Sequence, residues 1–287
     1  MDRVRWGQGP VDFELESRDE AVISHAREVF KPWRPAESRR VACRWRITAH
    51  EGRFDVHVLD AADVESQQQT ASSVEGAVCI VEFAAIARFI ECDEQILCIH
   101  SALLSRDGHG VAIVGPSLAG KTTLACALWQ KGWSFHCDDG IMIRDGLAYP
   151  SPRRVSLRSG SRALVGDSLW NRSMATPSFA TTPKGCLFHP QEVTGSSSKA
   201  DSIELDAIVF LARRGAPVSG PPTRLSNAET AMALWPYTNL RTRLPFNEVI
   251  ERLVVVAARA PGFDVPRASL DDMAEQIENL NVSHSAR

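Results

Sequence analysis

The sequence predicts an α/β protein that begins with a smaller α+β portion. Alternating apolar and polar residues ahead of residue 95 are typical of strands with one exposed face. The continuous apolar run GVAIVG at 110–115 is typical of a buried strand, and a glycine-rich loop and a helix-forming stretch follow it. We therefore place the N-terminal α+β portion at 1–95 and the α/β domain, with its C-terminal helices, at 96–287.

The N-terminal portion begins with a polar segment in which FELESRDEAVISHAREVFKPW predicts a short helix. The stretches RRVACRWRITAHEG and RFDVHVLDAAD alternate in polarity on either side of Gly52 and predict a β-hairpin. We expect a polar loop at 66–73, a strand at 76–83 and a helix at 84–93, where apolar residues recur at helical spacing.

The α/β domain begins with LCIHSALLS and GVAIVG, which predict two strands joined by the tight turn RDGHG. The stretch KTTLACALWQKG predicts a helix that stops at Gly132, WSFHCDD predicts the next strand, and GIMIRDGLAYP predicts a hairpin. A stretch rich in Ser, Thr, Pro and Gly at 171–202 predicts a long loop. After it we expect a buried strand in IELDAIVFL, a capping box at Ser226 and Glu229, and two terminal helices.

Composition and charge argue against several classes of protein. The chain of 287 residues has a net charge of −3, whereas nucleic-acid-binding proteins are usually strongly basic. The charged N-terminus lacks the apolar region of a signal peptide, and no run of 18 apolar residues predicts a membrane span. The seven scattered cysteines contain no C-x-x-C pair and favour a reducing compartment. We therefore expect a cytoplasmic protein with no nucleic-acid or membrane partner.

A phosphate-binding loop is predicted at Gly115-Pro116-Ser117-Leu118-Ala119-Gly120-Lys121-Thr122, which matches the pattern G-x-x-x-x-G-K-[ST] in full. Backbone N–H groups of such a loop and of the following helix point at phosphate oxygens. We expect ATP to bind at residues 115–123, a range that ends with Thr123. Lys121 would contact its β- and γ-phosphates, and the Thr122 hydroxyl would bind Mg²⁺. The alternative, a structural turn with a surface lysine, does not account for the strand before the loop and the helix after it.

Two aspartates, Asp138 and Asp139, stand at the end of the strand that follows this helix. Ligands of open α/β sheets bind at such strand ends. Successive residues of a strand point to opposite sides, so one carboxylate can hold Mg²⁺ while the other accepts the proton of a hydroxyl nucleophile. The alternative is that the pair only caps a helix or closes a turn.

Together with His100, these motifs resemble the HPr kinase/phosphorylase family. In that family a histidine lies on the strand ahead of the phosphate-binding loop, and an aspartate pair follows after one helix and one strand. Here His100 lies 21 residues before Lys121, and Asp138 lies 17 residues after it. The resemblance covers about residues 96–215 and implies a kinase core related to that of phosphoenolpyruvate carboxykinases.

The resemblance also implies a chemistry. It implies ATP, Mg²⁺ and a serine hydroxyl as acceptor, with Asp138 as catalytic base, Asp139 as metal-binding carboxylate, and His100 beside the γ-phosphate or assisting the base. The first 95 residues differ from the usual N-terminal domain of the family, and no segment matches the one that supports phosphorylase activity. The chain looks closer to lasso-peptide precursor kinases, which phosphorylate the C-terminal serine of a peptide. Members of the family form ring-like oligomers, which leaves a homo-oligomer open here.

Basic residues further along the chain are candidates for substrate binding. The stretch PRRVSLRSGSR contains Arg153, Arg154, Arg158 and Arg162, and arginine suits bidentate contact with a phosphate or a carboxylate. Lys184, in the predicted long loop, is a candidate lid residue. The alternatives are a solvated basic face and a lysine that only faces solvent.

Three functions agree with these motifs: a serine kinase for a peptide or small protein, a kinase for a small metabolite, and a regulatory module that senses ATP without transfer. The acidic pair and His100 argue against the last function, because binding alone needs no base. The sequence does not separate the first two, because substrate specificity resides in loops.

Overall fold

The computed structural model describes residues 1–8, 11–37, 41–59, 65–92, 96–144, 146–194, 202–213, 215–216 and 219–280. The chain divides into two compact units. The first comprises Met1–Glu94, Pro152–Arg154 and Asn171–Val193, and the second comprises Gln95–Ser151, Val155–Trp170 and Thr194–Arg287. The first unit therefore includes two segments that come from the chain beyond residue 96.

The strands of the described residues are β1 (Asp2–Gln8), β2 (Val11–Ser17), β3 (Arg34–Pro35), β4 (Val41–His50), β5 (Arg53–Leu59), β6 (Glu65–Ala71), β7 (Leu97–Ile99), β8 (Ser101–Arg106), β9 (His109–Val114), β10 (Ser134–Cys137), β11 (Ile141–Arg144), β12 (Leu147–Pro150), β13 (Val155–Arg158), β14 (Ala180–Thr182), β15 (Gly185–Phe188), β16 (Ile203–Leu211), β17 (Thr223–Arg224) and β18 (Gly262–Val265). The helices are α1 (Glu20–Phe30), α2 (Val74–Cys92), α3 (Lys121–Gln130), α4 (Arg162–Val165), α5 (Asp167–Met174), α6 (Pro190–Thr194), α7 (Asn227–Leu234), α8 (Phe246–Arg259) and α9 (Leu270–Glu278). None of the helices in the described residues combines the length and the apolar composition that crossing a membrane requires.

A six-stranded sheet forms most of the first unit, in the order β3-β1-β2-β4-β5-β6. Its strands pair antiparallel except β2 and β4, which run parallel because the connection through α1 carries the chain back. The Asp19 carboxylate begins α1 by accepting hydrogen bonds from the N–H groups of Ala21 and Val22. The predicted helix in this segment and the predicted hairpin, β4–β5, are confirmed.

Three predictions for the first unit are wrong. Residues 76–83, predicted as a strand, continue into the predicted helix to form α2, which packs on α1 and on the sheet. Apolar residues also occupy its less buried face, at Ile80 and Phe83, so the helical period is hidden and the sequence signal resembles that of a buried strand. The predicted polar loop at 66–73 contains strand β6, whose polar residues pair with β5 through the backbone. The predicted long loop at 171–202 contains the end of α5, the hairpin β14–β15 and α6, and residues 195–201 lie outside the described residues.

A mixed sheet forms the second unit, in the order β10-β8-β9-β16-β12-β11-β7, with β18 beside β16. Strands β9, β16 and β18 run parallel. The buried strands β9 and β16, helix α3, the hairpin β11–β12 and the two terminal helices α8 and α9 confirm the predictions for this part of the chain. Helix α7 begins with the predicted capping box at Ser226 and Glu229. The hydrophobic core of the second unit contains residues of the sheet, α7 and α8.

The segment LCIHSALLS, predicted as one strand, forms the two strands β7 and β8 on either side of His100. Strand β7 pairs with β11, whereas β8 pairs with β9 and β10. The N–H group of His100 instead donates to the carbonyl oxygen of Tyr237 at 2.9 Å. The chain therefore changes pairing partners at His100, one residue after the register position where Ile99 faces Ile141.

Candidate active site

The predicted phosphate-binding loop, residues 115–122, connects the end of β9 to α3 and surrounds the amino group of its own lysine. Lys121 is 7% exposed, and its Nζ donates hydrogen bonds to the carbonyl oxygens of Gly115 (2.9 Å) and Pro116 (3.2 Å). Burial lowers the pKa of Lys121, while the charges of Asp138 and Asp139 act in the opposite direction. The loop therefore holds a cation among neutral carbonyl groups, where a polyanionic ligand would be attracted.

Two glycines permit the path of this loop. A side chain on Gly115 would meet the carbonyl oxygen of Leu211 at 2.8 Å, so only glycine allows the loop to lie this close to β16. Gly120 has a φ angle of +96°, a left-handed conformation that glycine adopts without strain, and it precedes the first residue of α3. Within the described part of the chain, no side chain caps this end of α3. The N-cap residue Gly120 therefore offers no side-chain acceptor to the first N–H groups of α3, and backbone N–H groups at a helix N-terminus can bind phosphate.

One hydrogen bond joins the loop to the acidic pair. The hydroxyl group of Thr122 donates to Oδ2 of Asp138 at 2.9 Å. Asp138 directly follows β10, and β8 lies between β10 and β9 in the sheet, which brings this strand end beside the loop. The partner of Thr122 is thus Asp138, the predicted base, rather than Asp139, the carboxylate that we predicted to share Mg²⁺ with it.

Asp138 is a buried carboxylate with incomplete hydrogen bonding. It is 1% exposed, and its Oδ1 atom has no hydrogen-bond partner among the described residues. Burial and the charge of Asp139 raise the pKa of Asp138 to about 7, although Thr122 and the backbone N–H groups of Asp139 and Ser156 favour its charged form. A buried polar atom without a partner is unfavourable, so this oxygen is a candidate contact for a ligand.

His100 and Asp139 lie next to each other at the same end of the sheet. The Nδ1 atom of His100 is 3.1 Å from the carbonyl oxygen of Asp139 and 3.9 Å from its Oδ1 atom. A carbonyl oxygen can only accept, so this contact places a proton on Nδ1 and makes Nε2 of the neutral ring an acceptor. The side chains of His100 and Asp139 are 43% and 30% exposed, so both reach solvent, unlike that of Asp138.

The segment around the end of β13 also approaches the loop. The hydroxyl oxygens of Ser161 and Thr123 are 3.0 Å apart. The exposed Arg158 lies close enough to Lys121 for its charge to help lower the pKa of the amino group. Arg162, by contrast, pairs with a carboxylate of its own segment. The basic composition of this stretch was the only sequence signal here, because single serines such as Ser161 carry no recognisable pattern.

The residues of this site fit Mg²⁺ and the phosphates of a nucleotide. Mg²⁺ prefers oxygen ligands and usually takes only one or two carboxylates from a protein, with phosphate oxygens and water as its other ligands. Thr122, Asp138 and Asp139 offer a hydroxyl and two carboxylates beside the loop. The described residues contain no group of three or more His, Cys, Asp or Glu side chains that could hold a metal ion. An Mg²⁺ ion held by these residues would take its other ligands from phosphate oxygens and water.

The other residues predicted to bind substrate belong to the first unit. Arg154 is 0% exposed because its guanidinium group pairs with Glu82, so the prediction that it contacts a substrate is wrong. Arg153 packs over the ring of Phe83, with 3.4 Å from its guanidinium carbon to the ring centre. Lys184 is exposed at the turn between β14 and β15, and its role as a lid residue stays a prediction.

Comparison with known proteins finds only distant similarity, at the level of solved structures. No protein-family model matches the chain, and no curated protein sequence is detectably similar to it. Among solved structures, the chain is similar to the HPr(Ser) kinase/phosphatase from Coxiella burnetii, with 15% sequence identity and a TM-score of 0.34. The match covers 63% of this chain and 94% of that one. A similarity this distant says nothing about substrate or reaction.

Proposed function

We propose that the protein is an ATP- and Mg²⁺-dependent serine kinase that transfers the γ-phosphate of ATP to a hydroxyl group of a peptide or small protein. The observation that supports this proposal most strongly is the hydrogen bond between Thr122 and Asp138. It joins the predicted phosphate-binding loop to a buried carboxylate, one oxygen of which has no hydrogen-bond partner among the described residues. A module that only senses ATP needs the loop but has no use for a base beside it.

Each residue of the site has a role in this proposal. The loop amides and Lys121 bind and orient the triphosphate. Asp138 accepts the proton of the attacking hydroxyl, and its raised pKa makes it a stronger base than an ordinary aspartate. Thr122 and Asp139 are the proposed ligands of Mg²⁺, which would neutralise charge on the phosphates. His100 lies beside the γ-phosphate or assists the base.

We propose, more specifically, a precursor peptide of the lasso type with a C-terminal serine as the acceptor. The support for this substrate is the spacing of His100, Lys121 and Asp138, which resembles that of kinases for serine residues. The exposure of His100 and Asp139 also supports a macromolecular acceptor, because the site is open to solvent on their side. A hydroxyl-bearing metabolite is the competing acceptor, and direct assay separates the two.

The test measures transfer of phosphate from γ-labelled ATP to peptides that end in serine, to the same peptides ending in alanine, and to a panel of hydroxyl metabolites. We expect transfer to the serine peptides alone. The Asp138→Asn variant should lose about 10²- to 10⁴-fold in kcat, the usual contribution of a general base, with ATP affinity changed little. The Lys121→Ala variant should lose both ATP binding and transfer. Asp107→Asn, whose side chain is 88% exposed, is the matched control.

Three outcomes would contradict parts of the proposal. Full transfer by Asp138→Asn would remove the assigned base. Transfer to metabolites only would favour the metabolite kinase. ATP binding that depends on Lys121, without transfer to any acceptor, would favour the ATP-sensing module.

A further inference from the structure

A cavity of about 580 Å³ lies beside helix α8 in the second unit. None of the residues assigned to the proposed active site lines it. Its volume falls within the range of roughly 300–1,000 Å³ that is typical of small-molecule sites. The cavity is therefore large enough to hold a ligand of its own.

The lining of this cavity combines guanidinium groups with apolar side chains. Arg252 and Arg259 lie on one face of α8, because seven residues complete about two turns, and Arg144 ends strand β11. Leu97 and Ile143, which face each other across the β7–β11 pair, contribute apolar surface. None of the described lining residues is acidic, and Asp145, which adjoins the lining in sequence, lies outside the described residues.

Two details describe the positions of Arg259 and Val255 at this cavity. A Cβ atom on Gly146 would lie within 3.0 Å of three side-chain atoms of Arg259, so this guanidinium group lies directly against the β11–β12 turn. Val255, on the same helix, also lines the cavity and is 56% exposed. A guanidinium group has five N–H donors, so an arginine that already contacts protein groups can also bind an anion.

We propose that this cavity binds a small amphipathic anion, a molecule with a carboxylate or phosphate head and an aliphatic body. Arginine binds both kinds of head in a bidentate manner, and three guanidinium groups border this cavity. The aliphatic body would cover Leu97, Ile143 and Val255, side chains that offer no hydrogen bonds. A nucleotide is a poor candidate, because the described lining offers few groups to hydrogen-bond a sugar.

Titration calorimetry with four octyl compounds tests the proposal on the full chain. Octanoate and octyl phosphate carry the two candidate heads, and octylammonium and octyl glucoside carry the same body with a cationic or neutral head. We expect both anions to bind, whichever the natural head is, and the other two compounds to bind at least tenfold more weakly. The double variant Arg252→Gln/Arg259→Gln should weaken anion binding at least tenfold, because charge-assisted hydrogen bonds are lost.

Two further variants complete the test. Arg267→Gln replaces an exposed arginine of the same unit that does not line the cavity, and it should bind octanoate like the parent protein. Val255→Trp should weaken all octyl binding by filling the cavity from its exposed side, with an unchanged melting temperature. Equal binding of all four compounds, no binding of either anion at millimolar concentration, or unchanged binding by the double variant would overturn the proposal. Binding of an acidic peptide without binding of either octyl anion would also overturn it.

Discussion

Both units contain buried charged side chains, but the buried carboxylates of the two units differ in how completely they are paired and hydrogen-bonded. In the first unit, Glu82 and Arg154 are both fully buried, and the Glu82 carboxylate accepts from Nε (3.0 Å), Nη2 (2.8 Å) and the backbone N–H (2.8 Å) of Arg154. The remaining donor Nη1 of Arg154 binds the carbonyl oxygen of Ser178 at 2.9 Å. In the second unit, Asp138 keeps one oxygen without a partner among the described residues, and Asp139 adds a second carboxylate beside it.

The pKa directions of the two carboxyl groups follow from this difference. Burial alone would raise the pKa of Glu82, but the charge and hydrogen bonds of Arg154 hold it below the ordinary value. Burial and Asp139 raise the pKa of Asp138, and the hydrogen bonds from Thr122 and nearby backbone N–H groups do not offset them. A buried charge is therefore not by itself a sign of function. Incomplete pairing, with a like charge nearby, is the feature that separates the proposed active site from a structural ion pair.

The largest effect that we expect on stability comes from Glu82→Gln. This change leaves the buried guanidinium group of Arg154 without its counter-charge, and it turns an amide N–H₂ toward N–H donors. Breaking a buried ion pair in this way usually costs about 3–5 kcal/mol. Urea unfolding of the parent and variant proteins measures the loss in the free energy of unfolding.

An exposed ion pair of the same unit provides the control for this measurement. Lys31 and Glu28 pair at 3.8 Å, and the Lys31 side chain is 74% exposed, so Lys31→Gln should cost less than about 1 kcal/mol. A similar small loss for Glu82→Gln would show that the buried pair does not secure the first unit.

The Asp138→Asn change is the counterpart of Glu82→Gln in the second unit, because it also converts a buried carboxylate into an amide. Here we expect the free energy of unfolding to stay within about 1 kcal/mol of the parent or to increase, because the change removes a poorly paired charge and its repulsion from Asp139. The same urea experiment measures it. A loss as large as that expected for Glu82→Gln would assign Asp138 a structural role.

His136 gives a smaller, pH-dependent effect. Its ring is buried, its Nε2 atom lies 2.7 Å from the Ser105 hydroxyl oxygen, and burial lowers its pKa to about 4. The folded state therefore resists protonation that the unfolded state accepts below about pH 6.5. The free energy of unfolding therefore has its full value above about pH 6.5 and decreases as the pH falls toward 4, because the unfolded state gains a proton that the folded state does not bind.

We expect protonation of His136 in the unfolded state to lower the free energy of unfolding by about 2 kcal/mol between pH 7 and pH 5. The measurement compares urea unfolding at both pH values in the parent and in His136→Gln, which should lose that much less stability on acidification. His50→Gln, at a site where the side chain is 74% exposed, should behave like the parent. Equal pH dependence of the parent and His136→Gln would show that His136 does not contribute to it.

Short-range features of the fold could be predicted from the sequence, and features that depend on distant packing could not. Strand β9, the loop, helix α3 and the strand before Asp138 follow from local patterns of apolar residues and glycines. Helix α2 was predicted in part as a strand, because apolar residues such as Ile80 and Phe83 also occupy its less buried face and hide the helical period. Arg154 was predicted at a substrate site, because an arginine that pairs with a distant carboxylate looks like any other arginine in the sequence.

The sequence by itself determined the order of elements around the proposed site, because local patterns predict strand β9, the glycine-containing loop, helix α3 and the strand that ends before Asp138. The tertiary structure decided which aspartate meets Thr122, since that depends on the place of β10 beside β8 and β9 in the sheet. It also decided that Arg154 joins the first unit, through a carboxylate 72 residues earlier in the chain. Removing both charges from water favours their pairing, and no local pattern records which partner lies close enough to provide it.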